Sequence, residues 1–418
     1  MDKFKIKGKV PLKGEVCISG AKNTVLPIMV ATIIAPGEYR LNNVPELRDT
    51  YTMKRLLEIV GAHVRFEDNI MEIDTSGCDT PVAPYELVKT MRASFYVLGP
   101  FMSRFNYAEV SLPGGCAWGP RPVDFHLQAM EKLGAEVTLT DGMIITKGKL
   151  YGSQIEFKKS SVGATGNIIM AAVTAEGTTT IKNAAQEPDI KALCVFLKKM
   201  GAVISGEGTS EIIINGKDKL TSGIEFNVIP DRIETSTFLM AGAITGGDIK
   251  LINTEPRHLR IILEYLKKAG MQIKVKSDTI HICSKNRFIK PVNIVTEKYP
   301  GFPTDLQAQW MALMTQAKGP SMITENIYTD RFTHIAELSR FGARIHLNDN
   351  KAFLKGMDTL VAAPVMSTDI RASASLIIAA LAAEGESTIS RIYHIDRGYE
   401  NIEKKLSLLG AEIKREIE

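Results

Sequence analysis

Between Leu112 and Phe125 the chain reads LPGGCAWGPRPVDF. Three glycines and three prolines in that span exclude a helix or a central strand, so the segment reads as a loop. Gly114 and Gly115 give hinge freedom just before Cys116, and Arg121 follows on the same loop. A loop thiol beside a cation has a lowered pKa and serves as proton donor or nucleophile. The plainer alternative is a packed, inert cysteine. Other polar and charged residues recur at comparable places: Lys22-Asn23, Arg92-Ala93-Ser94, Ser161-Val162-Gly163, Asp231-Arg232, Thr304-Asp305 and Asp369-Ile370-Arg371. Lys22, Arg92, Ser161, Arg232, Asp305 and Arg371 are separated by 70, 69, 71, 73 and 66 residues. Each opens an apolar, small-residue stretch that reads as a central helix, whose first amides and partial positive charge suit an anion. N-capping accounts for Ser, Thr and Asp at such positions. It does not account for Lys22, Arg92, Arg232 and Arg371, because cations are disfavoured at that end of a helix. Four such placements point to an anionic ligand.

The elements that must hold these groups form a repeat. A Leu-rich helical stretch, a Gly, a small or flexible residue and a strand-like Val or Ile recur around Gly61, Gly134, Gly201, Gly270, Gly342 and Gly410, at gaps of 73, 67, 69, 72 and 68 residues. The chain is therefore six copies of a ~70-residue α/β unit. In each, the Gly ends a helix in the left-handed conformation before an extended segment such as Ala135-Glu136-Val137-Thr138. A second glycine beat, at Gly37, Gly177, Gly246-Gly247, Gly319 and Gly385, follows the apolar helix; the second unit has Arg104-Phe105-Asn106 there instead. Each unit thus carries two helices and several short strands.

A chain of 418 residues is long for one core, so two domains are expected. Hydrophobic content of 44% and charged content of 23% fit a soluble globular protein. A net charge of +4 is too mild to imply nucleic acid. Met1 to Lys7 has no apolar core of a secretory signal. The run Val25 to Pro36 is too short to span a bilayer, so no membrane association is expected. Five scattered cysteines, Cys17, Cys78, Cys116, Cys194 and Cys283, suggest reduced thiols and a cytoplasmic address. The seven histidines show no metal-ligand spacing and no CxxC occurs, so no metal is expected. Gly206-Glu207-Gly208 lacks the third glycine of a dinucleotide fingerprint, and Gly216-Lys217 is followed by Asp218, which breaks a phosphate-binding loop motif. No cofactor is expected.

Taken together, these residues resemble the UDP-N-acetylglucosamine enolpyruvyl (1-carboxyvinyl) transferase family. The likeness runs from Gly20-Ala21-Lys22-Asn23 to the segment Tyr393 to Tyr399. It is carried by PGGCAWGPRPVD, by PDRIET at Pro230 to Thr235, by FPTD at Phe302 to Asp305 and by TDIRAS at Thr368 to Ser373. The resemblance implies a two-domain inside-out α/β barrel with three repeats per domain. One domain would be residues 22–229, the other 1–21 with 230–418, and the chain would cross between them near Ser19-Gly20 and Ile229-Pro230. It implies transfer of the enolpyruvyl group of phosphoenolpyruvate to the sugar 3-hydroxyl of UDP-N-acetylglucosamine, with release of phosphate. It also implies that UDP-N-acetylglucosamine binds first, drawing the domains together around the site and excluding water.

Residue by residue, Cys116 matches the family's loop cysteine, proton donor and site of covalent phosphoenolpyruvate attachment, with a role close to product release. Asp305 matches the base for the sugar hydroxyl, and Asp369 assists proton movement. Lys22, Arg121 and Arg397 match the phosphoenolpyruvate clamp, for which Arg forks suit carboxylate and phosphate. Asn23 would hold the tetrahedral intermediate and touch the sugar nucleotide. Arg92, the run Arg121-Pro122-Val123-Asp124-Phe125, Lys159 and the run Ser161-Val162-Gly163 match uridine and diphosphate contacts. Thr304, Asp305 and Ile327 match sugar contacts, and Arg232, Arg331 and Arg371 fall at charge-balancing positions. Trp118 stands where a smaller aliphatic residue is usual in the family, and Pro120 stiffens the approach to Arg121. Within the same fold the alternative acceptor is 3-phosphoshikimate, against which the PGGC loop and the RPVD run argue. From another class, a six-unit α/β repeat could be a DNA clamp; a clamp needs a basic lining and has no use for a Gly-hinged Cys beside Arg. The oligomeric state is left open by the sequence.

Overall fold

The computed structural model describes residues 2–112, 123–284 and 288–417. The chain divides into a discontinuous unit, Met1–Ser19 with Pro230–Glu418, and a continuous unit, Gly20–Ile229. The connection is tied on either side. Ala21 N–H bonds the Ile229 carbonyl at 2.8 Å, and Asp231 N–H bonds the Ser19 carbonyl at 2.9 Å. Ser19 is fixed further by Glu234, which accepts from its N–H at 2.8 Å and from Lys405 Nζ at 2.7 Å.

Each unit is an inside-out α/β barrel, with buried helices within and sheets around them. The inner helices of the continuous unit are Lys22–Ala31, Leu98–Phe105 and Val162–Ala172. Those of the discontinuous unit are Arg232–Thr245, Gln307–Met314 and Ile370–Ala382. These helices are apolar almost all round, as a helix surrounded by protein must be; every residue of Gln307–Met314 is buried. The outer helices are amphipathic. In Arg48–Val60, Asp49, Thr50, Met53, Leu56, Leu57 and Val60 are buried, the spacing of one helical face.

Among the described residues there are six four-stranded sheets, one per repeat. In the third repeat, Gln154–Glu156 runs parallel to Thr178–Lys182, which pairs antiparallel with Glu211–Asn215, itself antiparallel to Val203–Ser205. The inner helix joins the parallel pair, and the outer helix Pro188–Lys199 leads from Thr178–Lys182 across to Val203–Ser205 on the far side of Glu211–Asn215. Three sheets borrow a strand from far along the chain. Ile224–Asn227 pairs parallel with Glu38–Asn42. Lys13–Cys17 pairs parallel with Asp248–Ile252. Lys3–Lys7 lies between Glu386–Ser390 and Glu412–Glu416.

The repeated glycine has the conformation its position requires: Gly61, Gly134, Gly201, Gly270, Gly342 and Gly410 all have φ between 87° and 105°. The unit without the second glycine beat keeps the turn by another residue. Asn106, at φ 54°, ends Leu98–Phe105 with its N–H on the Met102 carbonyl at 3.1 Å, and asparagine is among the few side chains that visit this region readily.

Candidate active site

In the discontinuous unit the predicted residues gather at the tips of the inner helices. Asp305 lies in the turn Thr304–Leu306 that leads into Gln307–Met314. Its Oδ1 accepts from Arg331 Nη1 at 2.9 Å and its Oδ2 from Arg371 Nη2 at 2.8 Å. The guanidinium side chains are 8% and 7% exposed, whereas that of Asp305 is 29% exposed. The carboxylate is therefore half-buried and rests against two more deeply buried cations. Burial disfavours its charged form, but Arg371 and then Arg331 outweigh burial and hold the Asp305 carboxyl well below the usual range.

Arg331 is itself held. Its Nη1 reaches Thr304 Oγ1 at 3.1 Å, and Thr304 in turn donates to Glu325 Oε2 at 2.9 Å. Glu325 is fully buried, and its Oε1 accepts from Thr296 Oγ1, Ile327 N–H and Tyr328 N–H. Ile327 is thus fixed by its backbone while its side chain stays 40% exposed.

Asp369 caps Ile370–Ala382, its Oδ1 accepting from Arg371 N–H at 2.8 Å and Ala372 N–H at 3.1 Å. It therefore fixes the residue that pairs with Asp305. Asp231 caps Arg232–Thr245 in the same way. The Arg232 guanidinium lies over the Tyr299 ring, 5.7 Å from its centroid. Arg397 ends the turn Ile392–Arg397.

In the continuous unit Lys22 opens Lys22–Ala31, where no side chain caps the helix. Its Nζ lies 3.5 Å from Asp49 Oδ2, with side chains 11% and 6% exposed. Asn23 follows in the first turn, and Thr24 donates to Asp189 Oδ1 at 2.6 Å. Val162 and Gly163 begin Val162–Ala172, capped by Ser161, whose Oγ accepts from Ala164 N–H at 3.3 Å. His126 lies against Gly163, where an added Cβ would sit 3.4 Å from the imidazole Nε2. Val123 is buried, Asp124 starts Asp124–Lys132, and the Phe125 ring meets Phe157 at 6.2 Å. Lys159 is exposed just before this tip. Arg92 opens the short helix Arg92–Val97; its side chain lies outside the described residues, as do Cys116, Trp118, Pro120, Arg121 and Pro122.

The cations at the helix tips are thus not all waiting for a ligand. Lys22 faces Asp49, and Arg371 faces Asp305, so part of the charge read as a sign of an anionic ligand is answered by the protein's own carboxylates. Other members of the site give weaker sequence signals. Glu325 and Gln309 belong to no motif singled out above, and Tyr399 closes the segment Tyr393 to Tyr399 without a role assigned to it. The one available hint is that Gln307 and Gln309 interrupt an otherwise apolar helix, QAQWMALM. His334 appears in the sequence only as a histidine without ligand spacing. It is buried beside Asp369 and Arg331, and burial pushes its pKa down to about 4 against the pull of Asp369.

The EPSP synthase family (3-phosphoshikimate 1-carboxyvinyltransferase) matches residues 6–406 of the chain. A UDP-N-acetylglucosamine 1-carboxyvinyltransferase of Chlorobium phaeovibrioides is 54% identical over 420 residues, covering 100% of this chain and 99% of that one. One of Chlorobaculum parvum is 53% identical with the same coverage. Among solved structures, the enolpyruvyl transferase NikO from Streptomyces tendae superposes with a TM-score of 0.90 at 25% identity, over 99% of this chain and 98% of that one. An EPSP synthase of Acinetobacter baumannii shares the fold, with a TM-score of 0.78 at 18% identity over the whole of both chains.

Proposed function

The chain belongs to the EPSP synthase family, and we propose that within it the protein is a UDP-N-acetylglucosamine 1-carboxyvinyltransferase. It transfers the enolpyruvyl group of phosphoenolpyruvate to the 3-hydroxyl of UDP-N-acetylglucosamine and releases phosphate, the first committed step of peptidoglycan precursor synthesis. The observation that carries this reading is the end-to-end identity with relatives of that name. The family match alone would fit the shikimate acceptor equally well.

In the reaction a proton adds to the methylene carbon of the donor, and the sugar oxygen bonds to the carbon bearing phosphate. The tetrahedral adduct then loses phosphate and a methyl proton. Asp305 suits the hydroxyl step in a particular way. Clamped between two guanidinium groups, it is a weak base, so it orients the hydroxyl as a hydrogen-bond acceptor. It takes the proton only as the new C–O bond makes that proton acidic. The buried cations beside it keep the resting carboxylate ionised, so it is ready to accept that proton.

The remaining roles complete the reading. Lys22, Asn23, Arg121 and Arg397 bind the donor. Asn23, Arg92, Arg121, Pro122, Val123, Asp124, Phe125, Lys159, Ser161, Val162, Gly163, Thr304, Asp305 and Ile327 bind the sugar nucleotide. Arg232, Arg331 and Arg371 balance charge, and Asp369 assists proton movement. The amides at the Ser161-capped tip suit the diphosphate. Cys116 serves as proton donor and as the point where the donor attaches covalently, and the protein works in the cytoplasm on small-molecule substrates.

The test is phosphate release from phosphoenolpyruvate with either acceptor. Release with UDP-N-acetylglucosamine and none with 3-phosphoshikimate is expected, and the reverse would overturn the reading. Fosfomycin should label the wild-type protein and not a Cys116→Asp variant; labelling that survives the substitution removes Cys116 from its role.

A further inference from the structure

We propose that Tyr399 is a positioning residue for Asp305, joining the carboxylate to its own main chain through a closed circuit of buried side chains. The proposal rests on the reading of Asp305 as the group that faces the sugar hydroxyl. Tyr399 is 2% exposed, Thr237 3% and Gln309 fully buried. Each side of the circuit comes from a different inner helix or turn of the discontinuous unit.

The direction of every hydrogen bond follows from counting donors. Thr237 gives its one hydroxyl proton to the Ile233 carbonyl at 2.9 Å. The 2.8 Å contact between Thr237 Oγ1 and the Tyr399 hydroxyl must then run from tyrosine to threonine. Gln309 Nε2 donates to the Tyr399 oxygen at 3.2 Å and to the Asp305 main-chain carbonyl at 3.0 Å. The tyrosine hydroxyl therefore accepts one bond and donates another, and the hydroxyl end of the side chain cannot swing away without breaking both. Burial also pushes its pKa up, against Arg371, so the donated proton stays in place.

The ring held in this way carries the other arm. Arg371 lies over it with Cζ 5.9 Å from the ring centroid, within the range of a cation–π contact, and reaches Asp305 Oδ2 at 2.8 Å. Gly398 lets the two segments meet. A Cβ there would stand 2.6 Å from Ile370 Cγ2 and 3.9 Å from Arg371 Nη1. Asp305 main chain, Gln309, Tyr399, Arg371 and Asp305 side chain thus form a closed ring of contacts. Any buried tyrosine needs a partner for its hydroxyl; what ties this one to Asp305 is the guanidinium above its ring and the Gln309 amide it shares with the Asp305 main chain.

The test is titration of the Asp305 carboxyl by carbon-13 NMR in the substrate-free protein, alongside phosphate release. Tyr399→Leu removes ring and hydroxyl, and should raise the Asp305 midpoint by about one pH unit and lower kcat more than tenfold with a smaller change in KM. Tyr399→Phe and Thr237→Val leave the ring but release its far end, and should move the midpoint the same way by less. An unmoved midpoint in Tyr399→Leu overturns the proposal; if that variant does not fold, an unmoved midpoint in both milder variants does so. The titration needs no substrate. If the wild-type protein releases no phosphate with UDP-N-acetylglucosamine, the functional reading falls while the positioning role is still decided.

Discussion

The first repeat of the continuous unit and the middle repeat of the discontinuous unit place a charged pair on the same two helix tips with the signs exchanged. In the former, Lys22 opens the inner helix and Asp49 lies in the first turn of the outer one. In the latter, Asp305 precedes the inner helix and Arg331 the outer one, His334–Arg340. The contacts differ in quality as well as in sign. Lys22 and Asp49 meet at 3.5 Å, the outer edge of a hydrogen bond, while both Asp305 oxygens are held at 2.8 and 2.9 Å. The backbone of the repeat therefore fixes where a charge stands and leaves its sign to the side chain. One tip presents a cation that meets a carboxylate at 3.5 Å, the other a carboxylate gripped on both oxygens.

The rigid pair is the place to break this contrast most severely. Asp305→Asn should slow phosphate release about a thousandfold with substrate binding less affected, measured by steady-state kinetics and calorimetry. Arg371→Met leaves the buried Arg331 to balance the carboxylate alone. It should cost about 3 kcal/mol in urea unfolding, together with most of the activity.

Acid sharpens the same point. The folded Asp305 carboxyl lies below its ordinary value, so its contribution to stability is fully present above the unfolded value of about 3.9 and is lost as pH falls through the lower folded value. The unfolding free-energy difference between wild type and Asp305→Asn should be flat from about pH 7 to 5 and shrink below about 4.

At the looser pair, Asp49→Asn should raise KM for phosphoenolpyruvate about fivefold, the effect of an ion pair worth ~1 kcal/mol. A thousandfold loss there would erase the contrast. Smallest of all, Asn106→Gly restores the residue of the other repeats and should change unfolding free energy by no more than ~0.5 kcal/mol.

The six-fold period and the helix tips were legible because glycine at a left-handed turn leaves a mark that burial cannot imitate. The pairing of Asp305 with Arg331 and Arg371 was not, since it joins two different repeats of the discontinuous unit and arises only when the inner helices pack. Gln309, and the part played by Tyr399, stayed hidden for a related reason: a polar side chain satisfied inside a core has no spacing rule. The sheets borrowing Lys3–Lys7 and Lys13–Cys17 were equally silent, because strand partners hundreds of residues apart follow no local pattern. Asn106 shows the opposite case, a broken motif whose turn survived through a residue with the same backbone tolerance.

The strand Lys3–Lys7 sits between Glu386–Ser390 and Glu412–Glu416, and that placement sets an order on biosynthesis. As the polypeptide leaves the ribosome, Gly20–Ile229 has all its sheet partners in hand, whereas Lys3–Lys7 must wait, unpaired, until almost the whole message has been read. Nascent chains arrested with Ile229 just clear of the ribosome should therefore already protect the continuous half from protease while Lys3–Lys7 remains cleavable.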